Sequence, residues 1–116
     1  MNVSCLSRAL AALSMIVAAP SFAGAALSVA HVVAVRVDAN GMGMIIFDQP
    51  LAGTPAACGQ SSGYNNALAF NATTGKSALA LALSAKATGS AVEVYGTGAC
   101  GTYGAWVEDY SYGVIR

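Results

Sequence analysis

The alternation of apolar and polar positions divides most of this chain into short strands around one helical run. Val33, Val35 and Val37 alternate with Ala34, Arg36 and Asp38. That period of two marks a half-buried strand, and Val29 to Asp38 is predicted as the first. Asn40-Gly41 follows, the strongest short hairpin signal, because both central turn positions tolerate positive φ. Met42 to Asp48 then returns as a second strand, with Ile45 and Phe47 on one face and Met44 and Ile46 on the other. Pro50 to Pro55 and Gly59 to Gly63 read as loops, and Tyr64 to Phe70 as a short third strand. Further on, Ala91 to Tyr95 alternates with Val92 and Val94 inward and Glu93 and Tyr95 outward. Gly96-Thr97-Gly98 turns the chain. Ala105 to Tyr110 and Ser111 to Ile115 supply a fifth strand with a bend.

Between the third and fourth strands the pattern changes. Ser77 to Thr88 is almost entirely Ala, Leu, Ser and Lys. Leu79, Leu81 and Leu83 alternate with alanine, as in a strand, but alanine is depleted in strands and is the best helix former. A helix is therefore expected, closed by a left-handed Gly89 and with Lys86 near its negative end. Its apolar arc is broad. Leu79, Ala82 and Leu83 form one flank, expected to face the sheet. Ala78, Leu81 and Ala85 form another, expected to meet a second copy of the chain. Together they cover roughly 200°, where a surface helix needs about 100°. The fold expectation is mainly β with one helix: a five-stranded OB-like barrel, ordered β-β-β-α-β-β, in a single domain at 24–116.

The first 23 residues have the form of a secretory signal peptide: Arg8, an apolar run from Ala9 to Ala19, Pro20, then small residues at Ser21 and Ala23. That run is too short to span a bilayer. Cleavage is expected after Ala23, with Ala25 as the second choice, and the product is expected in the periplasm or secreted. Cys5 leaves with the leader. Cys58 and Cys100 remain, and an even pair in a small exported domain reads as a disulfide. It would close a loop of about 40 residues, for about 4 kcal/mol of stabilisation. Five basic and five acidic residues balance, so no basic patch calls for nucleic acid or an anionic membrane.

The chemical motifs are weak. Gly59-Gln60-Ser61-Ser62-Gly63 fits G-x-S-x-G, but a nucleophile elbow needs a large α/β sheet that this length does not allow. Gly96-Thr97-Gly98-Ala99-Cys100-Gly101 fits G-x-G-x-x-G, yet no helix follows it to hold a pyrophosphate. His31 is the sole histidine, so no metal site is expected. Glu108 and Asp109 are neighbours on a strand and point to opposite faces, a poor acid/base pair. Asn71-Ala72-Thr73 is a glycosylation sequon. The expectation is a protein without catalytic residues, metal or cofactor.

Aromatic and amide groups are left as binding chemistry: Tyr64, Asn65, Asn66, Tyr95, Tyr103 and Trp106 are the candidates, with Tyr110 and Tyr112 beside them. Flat apolar rings with polar tips suit sugars and protein surfaces alike.

The segment with Cys58, Tyr64-Asn65-Asn66-Ala67-Leu68-Ala69-Phe70, the helix ending Ala87-Thr88-Gly89, then Val92-Glu93-Val94-Tyr95-Gly96 and Cys100 resembles the B subunits of subtilase-cytotoxin type, over Val33 to Ile115. The resemblance implies a disulfide-linked OB-fold subunit that forms a ring of five and binds cell-surface glycans, while a separate A subunit carries the toxic enzyme. The functional expectation is an exported, non-enzymatic glycan-binding module. A periplasmic protein-interaction or inhibitor protein without glycan affinity is the alternative.

Overall fold

The computed structural model describes residues 24–104 and 106–116. The leader and Ala105, predicted to open the fifth strand, lie outside the described residues.

The elements in order are β1 (Gly24–Ala30), β2 (Val32–Val37), β3 (Met42–Phe47), β4 (Ala52–Thr54), α1 (Ala57–Ser61), β5 (Ala67–Asn71), α2 (Lys76–Thr88), β6 (Val92–Gly96) and β7 (Glu108–Ile115). All seven strands form one sheet, ordered β2-β3-β5-β7-β6-β1-β4. Pairing is antiparallel except between β5 and β7, which run parallel through Leu68–Glu108 and Ala69–Asp109.

The expectation of a closed five-stranded barrel is corrected by this order. The described residues form seven strands, and among them no pairing joins the edge strands β2 and β4. Two causes account for the count. His31 breaks the stretch Val29 to Asp38 expected as one strand, and residues 24–28, unassigned in sequence, extend its first part into β1, which pairs with β6 while β2 pairs with β3. The His31 backbone N–H and carbonyl both turn to Asp48, at 3.0 Å to the carboxylate and 3.1 Å to the amide. The second cause is Ala52-Gly53-Thr54, expected as loop, which pairs with Gly24-Ala25-Ala26.

The hairpin at Asn40-Gly41 forms as expected. Gly41 has φ +88°, and the Asn40 side chain accepts from Met42 N at 3.1 Å. From there β3 is buried on both faces. Ile45 and Phe47 join the main core with Leu27, Leu68, Phe70, Val92 and Val94, while Met44 joins Ala67, Ala69 and Val107 in a second cluster. Tyr64 and Tyr103 cover that second cluster.

α2 packs across β2, β5 and β7. Gly89 ends it with φ +66°, and Lys86 lies in its last turn. Its orientation is turned from the expectation: Ala82 and Leu79 face the core as expected, but Ala78 and Ala85 join them and Leu83 does not. Ala78, Ala82 and Ala85 are buried against the sheet, Leu79 and Leu81 flank them, and Leu83 is 51 % exposed. Spacings of four and three put the alanines in one stripe, and their small side chains let the helix lie close to the sheet. The interface expected at Ala78, Leu81 and Ala85 is therefore occupied by the chain's own core.

Cys58 on α1 is bonded to Cys100 in the β6–β7 loop, with Cα atoms 6.4 Å apart and a sequence separation of 42. The bridge fastens the turn before β5 to the loop before β7.

Candidate functional site

The candidate aromatics do not assemble into one surface. Register separates them. Across four strands the partners Ala52, Ala26, Tyr95 and Tyr112 form one row. Two tyrosines thus stand beside two alanines on the same line. The rings of Tyr95 and Tyr112 stack with centroids 4.5 Å apart and planes 17° off parallel. Small residues next to large ones leave a step, and a cavity of about 540 Å³ fills it. Tyr95 and Tyr112 supply its aromatic part, and small residues including Gly24, Ala26, Gly53, Thr54 and Ser111 line the remainder.

Polar groups fix this wall. Tyr95 donates its hydroxyl to Glu93 at 2.6 Å, and Arg116 donates to the other Glu93 oxygen. The hydrogen bond to Glu93 raises the Tyr95 hydroxyl above its ordinary value, and the same bond, with Arg116, lowers the Glu93 carboxyl. Tyr95 is held by this anchor, while Tyr112 is 54 % exposed. The resulting site is an apolar recess with a preoriented ring and a rim of hydroxyls.

Tyr103 and Tyr64 pack instead on the second core cluster. The Tyr103 hydroxyl donates to Asp38 at 2.7 Å, and Arg36 reaches the same carboxylate at 2.7 Å. The guanidinium also sits 6.0 Å from the Tyr103 ring centre, a cation–π contact. Burial and the Asp38 bond push the Tyr103 hydroxyl up to about 12. Hydrogen bonds from Tyr103 and Arg36 lower the Asp38 carboxyl.

The other candidates divide between backbone support and exposure. The Asn66 side chain donates to Phe47 O at 3.1 Å, and the Asn65 carbonyl accepts from Leu51 N at 2.7 Å. Both hold the turn before β5. Trp106 is 61 % exposed, and its carbonyl accepts from Ser62 Oγ.

The weak motifs resolve into a short helix and a turn: Gly59 to Ser61, expected as loop, lies in α1. The Ser61 hydroxyl donates to Cys58 O at 3.3 Å. Gly98 has φ +81° within the loop between β6 and β7. Asp109 accepts from the N–H groups of Gly101 and Thr102 at 2.8 and 2.9 Å. Glu108 is buried and accepts from Ala25 and Ala56 N–H. The adjacent carboxylates thus serve two different loops. Among the described residues, no three His, Cys, Asp or Glu side chains gather as a metal site.

Sequence reasoning placed Tyr95 outward but did not join it to Tyr112. The missing signal was the β6–β7 register, which alternation within either strand does not supply. Gly24, Ala26 and Gly53 were missed because a recess is made by the absence of side chains.

The fold and site together describe a small, mainly β, disulfide-bonded domain with one principal helix and an aromatic-walled recess. Comparison with family models, curated proteins and solved structures finds no match to this chain.

Proposed function

We propose that this protein is an exported, non-enzymatic binding module that takes a sugar ring of a glycan into the recess beside Tyr95 and Tyr112. The observation that carries the reading is the row Ala52–Ala26–Tyr95–Tyr112. Ala26 and the glycines beside it leave room for a flat ligand, and its tyrosines offer an apolar surface for sugar C–H groups. Ser111, Thr54 and the tyrosine hydroxyls stand at hand for sugar hydroxyls. The disulfide is compatible with an oxidising compartment. The chain order also supports an OB-like descent of the fold: count β1 and β2 as one strand broken at His31, set β4 aside, and β-β-β-α-β-β remains. The resemblance to subtilase-cytotoxin B subunits adds a cell-surface glycan, a five-membered ring and a separate A subunit to the proposal. Such a ring would have to use a face other than Ala78 and Ala85.

A glycan array with the oxidised protein tests the reading. Binding is expected, and Tyr112→Ala is expected to weaken it by about 1–3 kcal/mol while leaving the fold intact. An array without a binding sugar overturns it.

The alternative, a protein partner, is favoured by one observation. β2 is an edge strand, and its Val33 and Val37 are exposed. An open edge can accept a further strand.

A further inference from the structure

The sheet ends on two unlike edges. β4 is three residues long and holds Gly53 at φ +78°, a short, kinked edge that offers little to a further strand. β2 is six residues long, and its outer side is open. The ladder to β3 divides its backbone groups. Asp38 N donates to Met42 O at 2.7 Å, so Asp38 faces β3. In an antiparallel pair alternate residues turn both N–H and carbonyl to the partner strand. Arg36 and Ala34 therefore face β3 with Asp38, while Val35 and Val37 turn their backbone groups outward. Among the described residues no backbone bond outside the ladder reaches Val35 or Val37.

The side chains leave this edge unguarded. Val33 is 46 % and Val37 49 % exposed, while Val35 between them packs on the main core. The charge on the strand, Arg36, is already bonded to Asp38 at 2.7 Å. No lysine or proline stands in β2 to turn a neighbouring strand away. The two exposed valines lie symmetrically about Val35, so the edge matches its own copy run antiparallel.

Outward groups of two copies can meet about a two-fold axis at Val35, Arg36 or Val37. An axis at Arg36 sets that guanidinium against its own copy, and like charges directly opposite repel. An axis at Val37 sets Val35 against Ala39 of the hairpin turn and leaves Val33 uncovered. An axis at Val35 sets Val33 opposite Val37 on both sides and Arg36 opposite Ala34, which keeps like charges apart.

We propose that β2 is the contact through which two copies of this chain associate, antiparallel and centred on Val35, joining their sheets into one. Because β4 is unfit as a mate for β2, the contact pairs like with like and closes at two copies. The proposal names the occupant of the open edge and is independent of the glycan reading. The recess is lined from the β4 end of the sheet and stays free.

Sedimentation of the oxidised protein at rising concentration reads the association. A strand-to-strand contact is small, so a weak, reversible dimer is expected at high micromolar concentration. Hydrogen exchange locates it. The Val35 and Val37 amides should exchange at least tenfold more slowly in the dimer than in dilute monomer. The Ala34 and Arg36 amides, already bonded to β3, should not change. Val37→Lys should weaken association at least tenfold while the thermal midpoint holds, because position 37 is half exposed. Should that variant fail to fold, exchange in the wild type decides alone. A chain that stays monomeric throughout overturns the proposal and leaves the edge to a strand of another protein. A mass of five copies overturns it in favour of the ring. Dimers in which Val35 and Val37 exchange as fast as in the monomer overturn it by placing the contact elsewhere.

Discussion

Gly96 lies directly against the carboxylate of Glu108, so that a Cβ at position 96 would overlap Oε2 and stand 3.1 Å from Leu68 Cδ2. The closeness follows from the sheet. β7 runs between β5 and β6, and Glu108 at its start meets both. Gly96→Ala should therefore displace a buried group bonded to two other segments. Overpacking of this kind costs about 1–3 kcal/mol. Urea denaturation of the oxidised protein checks it; an unchanged midpoint would show that the carboxylate can move aside freely.

The inward stripe of α2 predicts two opposite responses. Leu83→Glu should change stability by no more than about 0.5 kcal/mol, since position 83 is exposed and one turn from Lys86. Ala82→Leu places extra methylenes where Ala82 has 0 % exposure and should cost about 1–3 kcal/mol. Thermal unfolding of both variants distinguishes this packing from the face expected from Leu79, Ala82 and Leu83, on which Leu83→Glu would bury an unpaired charge and unfold the domain.

Asp38 and Tyr103 give the protein a pH signature at both ends of the scale. The Asp38 carboxyl is lowered on folding, so its contribution is present above the unfolded value, about 3.9. It is lost as pH falls through the lower folded value. Tyr103 is raised to about 12, so its contribution is present below about pH 10 and lost as pH rises towards 12. The stability difference between wild type and Tyr103→Phe should hold steady from about pH 5 to 9 and shrink outside that range. A difference independent of pH would show that the Tyr103–Asp38 bond contributes nothing.

The Cys58–Cys100 bridge should contribute about 2–5 kcal/mol. Replacing either cysteine by Ala should lower the denaturation midpoint accordingly. Thiol labelling of the unreduced, denatured mature chain should find neither cysteine free; labelling at both would remove the bridge from the protein as it is made.

Features governed by neighbours in sequence were legible before the structure. The Asn40-Gly41 turn, the Gly89 cap, the two faces of β3 and the inward Val92 and Val94 all depend on local φ, ψ and alternation. The pairing of Cys58 with Cys100 follows from there being only two cysteines in the domain. Other features depend on which strands meet. Gly24 to Ser28 carries little large apolar surface and shows no clear alternation, so sequence leaves most of β1 unassigned although it lies between β6 and β4. Ala52-Gly53-Thr54 has no alternation, and pairing with β1 alone makes it a strand. In α2 size misleads: leucine is the more hydrophobic residue, but alanine fits the narrow space above the sheet. The stacked tyrosines required a register that neither of their strands encodes alone.

The position of β7 constrains when the protein can become itself. One half of the sheet, β2-β3-β5, is joined to the other, β6-β1-β4, through this last strand. A chain emerging amino end first exposes β1 early, yet its partner β6 begins more than sixty residues later, at Val92, and the two halves meet only after Glu108 has followed. Long-range pairing of this kind makes folding slow relative to local structure. A chain without β7 thus has no complete sheet, and assembly waits for that strand.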